Sequence, residues 1–151
     1  KWLNMMRDKL GLFGEDINDQ ILIMDLLTWM HKNKVDYTNT FCFLMNEKFS
    51  FNEKYDNEDF IIWKKKWNKR LMLHNKTPEK YLKLMRSVNP IVIPRNHKVE
   101  EALEAASNNN MTPIEDLIKI LKNPYTNQEK ILEYQLHNSN KNKEYQTFCG
   151  T

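Results

Sequence analysis

The stretch NEDFIIWKKKWNKRLMLH, residues Asn57–His74, carries the strongest indication of a fold in this chain. Its large apolar residues recur at three- and four-residue steps, a spacing that places them on one face of an α-helix. These residues are Phe60, Trp63, Trp67 and Leu71. We therefore predict an amphipathic helix over about Asn57 to His74.

The same stretch contains the run WKKKWNKR, Trp63–Arg70, in which aromatic and basic residues are interleaved. Such interleaving is typical of surfaces that bind nucleic acid. However, Trp63 and Trp67 continue the apolar stripe and should point inward. The basic residues would then spread over the remaining faces: Lys64, Lys65, Lys66, Lys69 and Arg70. We favour a solvated helix face and do not expect a nucleic-acid partner.

Helical spacing recurs upstream of this stretch. The chain is expected to begin inside a helix whose apolar stripe is Leu3, Met6, Leu10 and Phe13. A second helix, about Ile17 to Lys32, is apolar nearly all round, which predicts a central position among its neighbours. A third helix is expected over Thr38 to Lys48, with an apolar side formed by Phe41, Leu44, Met45 and Phe49.

Further helices are expected downstream. Thr77 can cap a helix that has Pro78 in its first turn, and its inner face would be Tyr81, Leu82, Met85 and Val88. Thr112, Pro113 and Glu115 match a capping box with proline in the first turn. The helix that follows this box has the inward stripe Ile114, Leu117, Ile118 and Leu121.

The composition supports a helical domain. The chain has three glycines and no sustained alternation of apolar and polar residues, so the usual signs of β-hairpins are missing. With 151 residues, 40% of them hydrophobic, it can bury a core of its own. We predict an all-α, compact multi-helix domain of about six to seven helices over residues 1–137, followed by a flexible polar tail over residues 138–151. The net charge of +3 is too small to indicate a polyanionic partner.

The segment NPIVIPRN, Asn89–Asn96, interrupts the helical pattern. Pro90 disfavours helix at Asn89, and the three β-branched residues before Pro94 favour extended backbone. Asn96 is then placed to cap a new helix, whose inner face would be Val99, Ala102, Leu103 and Ala106. The segment is predicted to be a rigid connector between two helices.

Motifs for nucleotide or hydrolytic chemistry are missing from the sequence. It has no glycine-rich phosphate loop, no GxSxG or HExxH, and no kinase catalytic signature. The four histidines are scattered and pair with neither cysteine at zinc-finger spacing. Asp16 and Asp19 could share a cation, but the calcium-loop pattern lacks its glycine and closing glutamate, and acids at a helix start favour the positive end of the helix dipole. We expect no catalytic, cofactor-binding or metal-binding residue in this chain.

The two cysteines differ in their surroundings. Cys42 lies between two phenylalanines and is expected to be a buried hydrophobe, whereas Cys149 lies in the polar tail, where oxidants could reach its thiol. Cys149 is therefore a candidate redox residue. Two cysteines form no disulfide framework, which favours a reducing, cytoplasmic setting.

The ends and apolar runs of the sequence bear on its context. The longest apolar run, Ile21–Met30, is interrupted by Asp25 and Thr28 and is too short to span a membrane. The first residue is Lys1 rather than methionine, and no secretory leader follows it. We expect a fragment of a longer protein with no membrane partner.

The order of several motifs resembles a known family. MRSVNPIVIPRN (Met85–Asn96) is followed by EALEAA (Glu101–Ala106), by LKNPY (Leu121–Tyr125) and finally by Cys149. This order is similar to that in the C-terminal region of the selenoprotein O family, also called YdiU or UPF0061. The resemblance covers about Leu82 to Thr151 closely and the first 80 residues only loosely.

That family resembles protein kinases in fold and acts as a protein adenylyltransferase, which transfers AMP from ATP to hydroxyl side chains of proteins with Mg or Mn. The resemblance implies that the nucleotide-binding and catalytic residues lie upstream of the region seen here. ATP and the metal ion are therefore expected in the parent protein and not in this fragment. The implied partners are the kinase-like catalytic region of the same chain and the parent's protein substrates.

The resemblance also implies roles for particular residues. Many members place a cysteine or selenocysteine close to the C terminus, and Cys149 occupies that place, although Cys-Gly-Thr stands where Ser-rich endings are usual. The connector would brace the fold, with Arg95 pairing with an acid or with helix-end carbonyl groups and Asn96 capping the next helix. The leading interpretation is structural support and redox control of the parent enzyme. The alternative is a free-standing helical module that binds a protein or RNA, and an upstream catalytic region would discriminate between the two.

Overall fold

The structure is a computed structural model, and it describes residues 1–46, 53–128 and 131–135. Its α-helices are α1 (Trp2–Lys9), α2 (Asp19–Asn33), α3 (Tyr37–Leu44), α4 (Glu58–Met72), α5 (Pro78–Val88), α6 (Asn96–Ser107), α7 (Thr112–Leu121) and α8 (Ile131–Gln135). A short 3₁₀ helix, Glu53–Asp56, precedes α4. The described residues contain no β-strand, so the predicted all-α class is confirmed. When the same residues are searched for a helix long and apolar enough to cross a membrane, none qualifies.

The helix count differs from the prediction, and two predicted regions lie partly or wholly outside the described residues. Eight α-helices lie within the described ranges because α8 is only five residues long, too short to show a repeating apolar pattern. As described, α3 ends at Leu44, and the predicted continuation to Lys48 and Phe49 lies outside the described residues. The predicted tail, residues 138–151, also lies outside them.

Helix α4 is placed as the opening stretch predicts. Asn57 begins it, because its side-chain Oδ1 accepts a hydrogen bond from the Asp59 N–H at 3.0 Å. Trp63 and Trp67 are buried and stack on each other with ring centroids 5.9 Å apart. The Trp63 indole N–H donates to the Leu22 carbonyl at 2.8 Å, and that of Trp67 donates to the Leu10 carbonyl at 2.9 Å. Buried indole groups need such partners, so these two bonds help to fix α4 against α2 and the end of α1.

Helix α2 is less enclosed than predicted. Its inward side chains, from Leu22 to Met30, lie in the core, but Ile21 is 62% exposed and Met24 is also exposed. Ile17 precedes the helix and is almost fully exposed. The prediction of a helix surrounded on all sides is wrong, because an apolar composition does not specify how many neighbours a helix has. α2 packs on α1 and α4 and leaves a third side open.

Helices α6 and α7 pack against each other, and their starts differ from the predictions by one residue. Arg95, not Asn96, occupies the position before α6, and Met111, not Thr112, occupies the position before α7. Neither helix has a side-chain cap at that position, so the predicted cap by Asn96 and the predicted capping box are both wrong. The Asn110 carbonyl Oδ1 instead accepts a hydrogen bond from the Thr112 N–H at 3.3 Å.

The predicted inward faces of these two helices are also only partly correct. Ala102 and Leu117 are buried, but Leu103 and Ile118, predicted to face inward, are exposed. Ile120, which the prediction omitted, is buried instead. The reason is physical: two short amphipathic helices that pack mainly on each other bury narrow stripes, and small residues such as Ala102 occupy the close contact.

The connector between α5 and α6 packs into the molecule. Ile91 and Val92 are buried, and the Ile91 N–H donates to the Pro124 carbonyl beyond α7 at 2.7 Å. Asn89 adopts extended backbone at the end of α5, as the following proline requires. Thus the extended geometry predicted for this segment is present, and it ties α5 to the far end of α7.

Candidate functional site: buried polar clusters and the α2–α4 surface

A buried ionic group, which we call the Asp19 cluster (Arg7, Asp19 and Arg70), joins α1, α2 and α4. The Arg7 Nε–H donates to Asp19 Oδ2 at 2.7 Å, and the Arg70 Nε–H donates to Asp19 Oδ1 at 2.6 Å. The Asp19 side chain is fully buried, and both arginines are largely buried. Because all three residues lie in different helices, the cluster fixes the relative positions of those helices.

Further hydrogen bonds support the cluster. The Asp16 backbone N–H donates to Asp19 Oδ2 at 3.0 Å. Arg70 Nη2 donates to the carbonyl oxygens of Phe13 and Gly14, at 3.1 and 3.2 Å, in the turn before α2. Gly14 has a φ of +63°, and a side chain there would collide with the His74 ring. Hydrogen bonds from Arg70 therefore stabilise the turn, and its backbone conformation favours glycine at position 14.

The electrostatics of Asp19 follow from these contacts. Burial alone would raise the pKa of the Asp19 carboxyl group, but the hydrogen bonds from Arg70, Arg7 and the Asp16 backbone lower it, and the net pKa lies below the usual value of 3.8. Asp19 is therefore ionised at neutral pH. Its two negative oxygens face the two guanidinium groups.

This cluster corrects one sequence interpretation and adds to another. Arg70 does not join the solvated basic face, because it is buried against Asp19. Asp19 lies in the first turn of α2, as the helix-dipole interpretation expects, and its oxygens also accept N–H groups from Arg7, Arg70 and Asp16. The signal that could have found the pair is the arginine that follows the tryptophan stripe, three residues after the inward-facing Trp67.

The remaining basic residues of α4 lie where a solvated face was predicted. Lys65, Lys66 and Lys69 are exposed, and the Lys64 ammonium lies over the Phe43 ring, 4.9 Å from its centroid. Lys66 also approaches Asp25 on α2 at 3.7 Å. Acidic neighbours therefore reduce the positive character of this surface.

A second group, the Arg95 cluster (Asp36, Asn39, Arg95 and Gln135), lies where the connector meets α3 and α8. The Arg95 guanidinium donates to both carboxylate oxygens of Asp36, with Nη2 2.9 Å from Oδ1 and Nη1 on Oδ2. Asp36 also caps α3, because its Oδ1 accepts from the Asn39 N–H at 2.8 Å. The structure thus supplies the acid expected for Arg95, and its contribution to stability stays a prediction.

The Arg95 cluster also reaches α8. The Gln135 side-chain Nε2 donates to the Ile91 carbonyl at 2.7 Å, and the Asn39 Nδ2 donates to the Gln135 backbone carbonyl at 3.3 Å. These bonds attach the last described helix to the connector on one side and to α3 on the other.

Asn89 explains why the connector begins with Asn-Pro. Its side chain is almost fully buried, and its Nδ2 donates to the carbonyls of Met85 and Lys9, both at 2.9 Å. Its Oδ1 accepts from the Lys9 ammonium at 3.0 Å. Burial lowers the pKa of Lys9, although the nearby Cys42 opposes that shift. Asn89 therefore links the ends of α1 and α5.

The two cysteines have different outcomes. Cys42 is fully buried, with its Sγ 3.9 Å from the Pro90 carbonyl oxygen, so the predicted buried hydrophobe is confirmed. Cys149, the candidate redox residue, lies outside the described residues. Within the described ranges, no three His, Cys, Asp or Glu side chains are grouped so that they could hold a metal ion.

The open side of α2 and the neighbouring side of α4 form a pocket of about 390 Å³, which we call the α2–α4 pocket. Its apolar lining is Ile21, Leu22 and Leu73, and the Asp19 cluster contributes Asp19 and Arg70. The charged residues around it include Asp16, Asp25, Lys66 and Lys69. Sequence reasoning missed this pocket because its two sides lie about fifty residues apart.

These features define an all-helical module in which buried Asp–Arg contacts join the helices. A family model described as "Protein adenylyltransferase SelO" matches residues 1–122. The chain belongs to this SelO family. The match corrects one expectation, since the first 80 residues lie entirely within the part that the family model matches.

Known relatives agree with this assignment. Protein nucleotidyltransferase YdiU of Pelagibacter ubique is 57% identical over 151 residues, which is all of this chain and 31% of that protein. YdiU of Alcanivorax borkumensis is 46% identical over 152 residues, again 100% of the chain and 31% of the relative. YdiU of Clostridium perfringens is 41% identical over 150 residues, 99% of the chain and 31% of the relative. The chain thus spans about a third of the length of the relatives it matches.

Proposed function

We propose that this chain is the C-terminal helical region of a SelO-family protein nucleotidyltransferase, and that it supports the rest of that protein without an active site of its own. The order of NPIVIPRN, EALEAA, LKNPY and Cys149 supports the C-terminal placement. The observation that carries the supporting role is the use of the buried polar groups. Asp19, Asn89 and Arg95, which could otherwise face a ligand, bond to other helices of the same domain.

For the parent protein, we propose transfer of AMP from ATP to hydroxyl groups of protein substrates, with Mg or Mn, by a kinase-like region outside this chain. The described carboxylates do not suit that metal ion. The buried carboxylate Asp19 already accepts hydrogen bonds from two arginines, and the described carboxylates do not gather into a group suited to a divalent cation. We therefore place ATP, the metal ion and the catalytic residues elsewhere in the parent, which we expect to act in the cytoplasm.

A direct test compares the full-length parent protein with this chain alone. We expect the full-length protein to transfer AMP from radiolabelled ATP to protein, and the 151-residue chain to transfer none and to bind Mg-ATP no more tightly than an unrelated helical protein. Tight Mg-ATP binding or AMP transfer by the purified chain would overturn the proposal. Binding of RNA that weakens steeply with salt would favour the interaction module instead.

A redox role for Cys149 is the finer part of this proposal. A thiol in a polar segment is open to oxidation to a sulfenic acid or a disulfide. We expect oxidant treatment to change AMP transfer by the full-length protein, and Cys149→Ser to remove that change. Cys42→Ser is the matched control, because Cys42 is buried and should not react. Equal oxidant sensitivity of the Cys149→Ser protein and the unsubstituted protein would reject the role.

A further inference from the structure

The α2–α4 pocket is a concave surface, within the described residues, to which the proposed function assigns no role. Ile21 is 62% exposed and Leu73 is 55% exposed, and both line the pocket with the buried Leu22 beneath them. Single exposed apolar residues are ordinary, but apolar residues that converge on one concavity with a charged rim resemble the core and rim of a protein interface.

The pocket has a rigid floor. Asp19 and Arg70 line it, and their mutual contacts together with Arg7 hold α1, α2 and α4 in place. A preformed surface loses little conformational entropy on binding, so a small apolar contact there can be effective. The rim carries both signs of charge, with Asp25 and Lys66 3.7 Å apart and both exposed. Such a rim does not select for a strongly charged ligand.

The length of the relatives indicates what covers this pocket. The chain spans 31% of the Pelagibacter ubique relative, so more than two thirds of such a protein lies outside it. A segment joined covalently to this domain is present at an effective concentration of the order of millimolar, far above that of a free partner. The remaining polypeptide is therefore the occupant that the observations favour.

We propose that the α2–α4 pocket is the docking site for an apolar segment of the remaining polypeptide of the same protein, an inference that rests on the proposed function. Ile21 and Leu73 contact that segment, and Asp25, Lys66 and Lys69 form the polar rim of the contact. The exposed apolar residue Leu103 on α6, outside the pocket, is not part of it.

Site-directed labelling of the full-length protein tests the contact. Leu73→Cys and the control Leu103→Cys are each introduced into a Cys149→Ser background, and a charged maleimide is applied while mass spectrometry follows each position. The two side chains are equally open in this domain, at 55% and 59% exposure, so the domain alone predicts similar rates. Docking predicts labelling at Leu73→Cys slower by about tenfold or more, which corresponds to about 1.4 kcal/mol of docking free energy. In urea the two rates should become equal.

Two other labelling results would each overturn the docking proposal. Equal labelling in the native full-length protein would show that the pocket is open to solvent and overturn the docking. Protection that weakens on dilution would assign the pocket to a second copy of the protein. Neither labelling result affects the AMP-transfer comparison. AMP transfer by the isolated chain would overturn the proposed function whatever the labelling rates are.

Discussion

The Asp19 cluster and the Arg95 cluster each join an arginine to an aspartate that is distant in the sequence, but their surroundings differ. The Asp19 side chain is 0% exposed and receives two arginines, whereas the Asp36 side chain is 18% exposed and receives one. Asp19 holds α1, α2 and α4 together, while Asp36 caps α3 and meets the connector. The difference teaches that removing one member of an Asp–Arg pair lowers the free energy of unfolding most where no water can replace the missing partner.

The largest effect is expected from removing the Asp19 charge. Asp19→Asn leaves the buried Arg70 guanidinium without a counter-ion and leaves Arg7 with only the exposed Glu15 carboxylate. Breaking a buried pair in this way costs roughly 3–5 kcal/mol. Urea unfolding followed by circular dichroism should show that loss. Asp25→Asn is the matched control, since Asp25 pairs with Lys66 at the surface. A loss below about 1 kcal/mol for Asp19→Asn would mean that the cluster is not needed for stability.

Acid should act on the same carboxylate. The pKa of Asp19 is lowered in the folded protein by its arginine partners, so its contribution to stability is complete above the unfolded pKa near 4 and is lost as the pH falls through the folded pKa. The urea midpoint of unfolding, measured at a series of pH values from 7 to 2, should therefore decrease once the pH is below about 4. The Asp19→Asn protein should lack this part of the decline, and an identical acid profile for both proteins would contradict the assignment.

A smaller effect is expected at the Arg95 cluster. Arg95→Met removes a charge-assisted, two-bond contact in a partly exposed place, and we expect a loss of about 1.5–3 kcal/mol with a lower Tm. Arg95→Lys should recover only part of the loss, because an ammonium group cannot bind both carboxylate oxygens in the same planar way. An unchanged Tm for Arg95→Met would remove the bracing role.

A double-mutant cycle tests whether the loss of stability comes from the contact between Arg95 and Asp36. Asp36→Asn removes the charge but keeps a side-chain oxygen that can cap α3. A double-mutant cycle with Arg95→Met should give a coupling energy of about 0.5–3 kcal/mol, since the two residues are in contact. Additive losses would show that Arg95 stabilises the fold through other contacts.

The smallest effect is expected for the surface pair. Lys66→Met breaks a contact between two exposed side chains, and such pairs contribute about 0–1 kcal/mol. The unfolding free energy should change little, and high salt should reduce that change further because it screens exposed charges. A loss comparable to that of Arg95→Met would mean that the rim of the pocket, and not only its floor, holds α2 and α4 together.

Local patterns predicted the elements that depend on neighbours in the sequence. The three- and four-residue steps of Phe60, Trp63 and Trp67 predicted α4, because helical packing follows directly from that spacing. The prolines around Ile91 predicted the extended connector for a similarly local reason. The starts of α6 and α7 were missed by one residue, because the observed positions before them hold Arg95 and Met111, which are not among the residue types that favour a helix N-cap.

Long-range pairing could not be predicted in the same way. Asp19 and Arg70 are 51 residues apart, and Asp36 and Arg95 are 59 residues apart. No local sequence pattern identifies which arginine pairs with which aspartate. The family resemblance implied that Arg95 pairs with an acid or with helix-end carbonyl groups, but it did not identify Asp36 as that acid. The α2–α4 pocket was missed because it exists only once two distant helices are placed side by side.

The attachment of α8 limits the reach of the Cys149 thiol. Gln135 is held between Ile91 and Asn39, and Cys149 follows it by fourteen positions. A chain of that length reaches at most about 50 Å even when fully stretched. A cysteine of the same molecule could therefore form a disulfide with Cys149 only inside a sphere of that radius centred on Gln135.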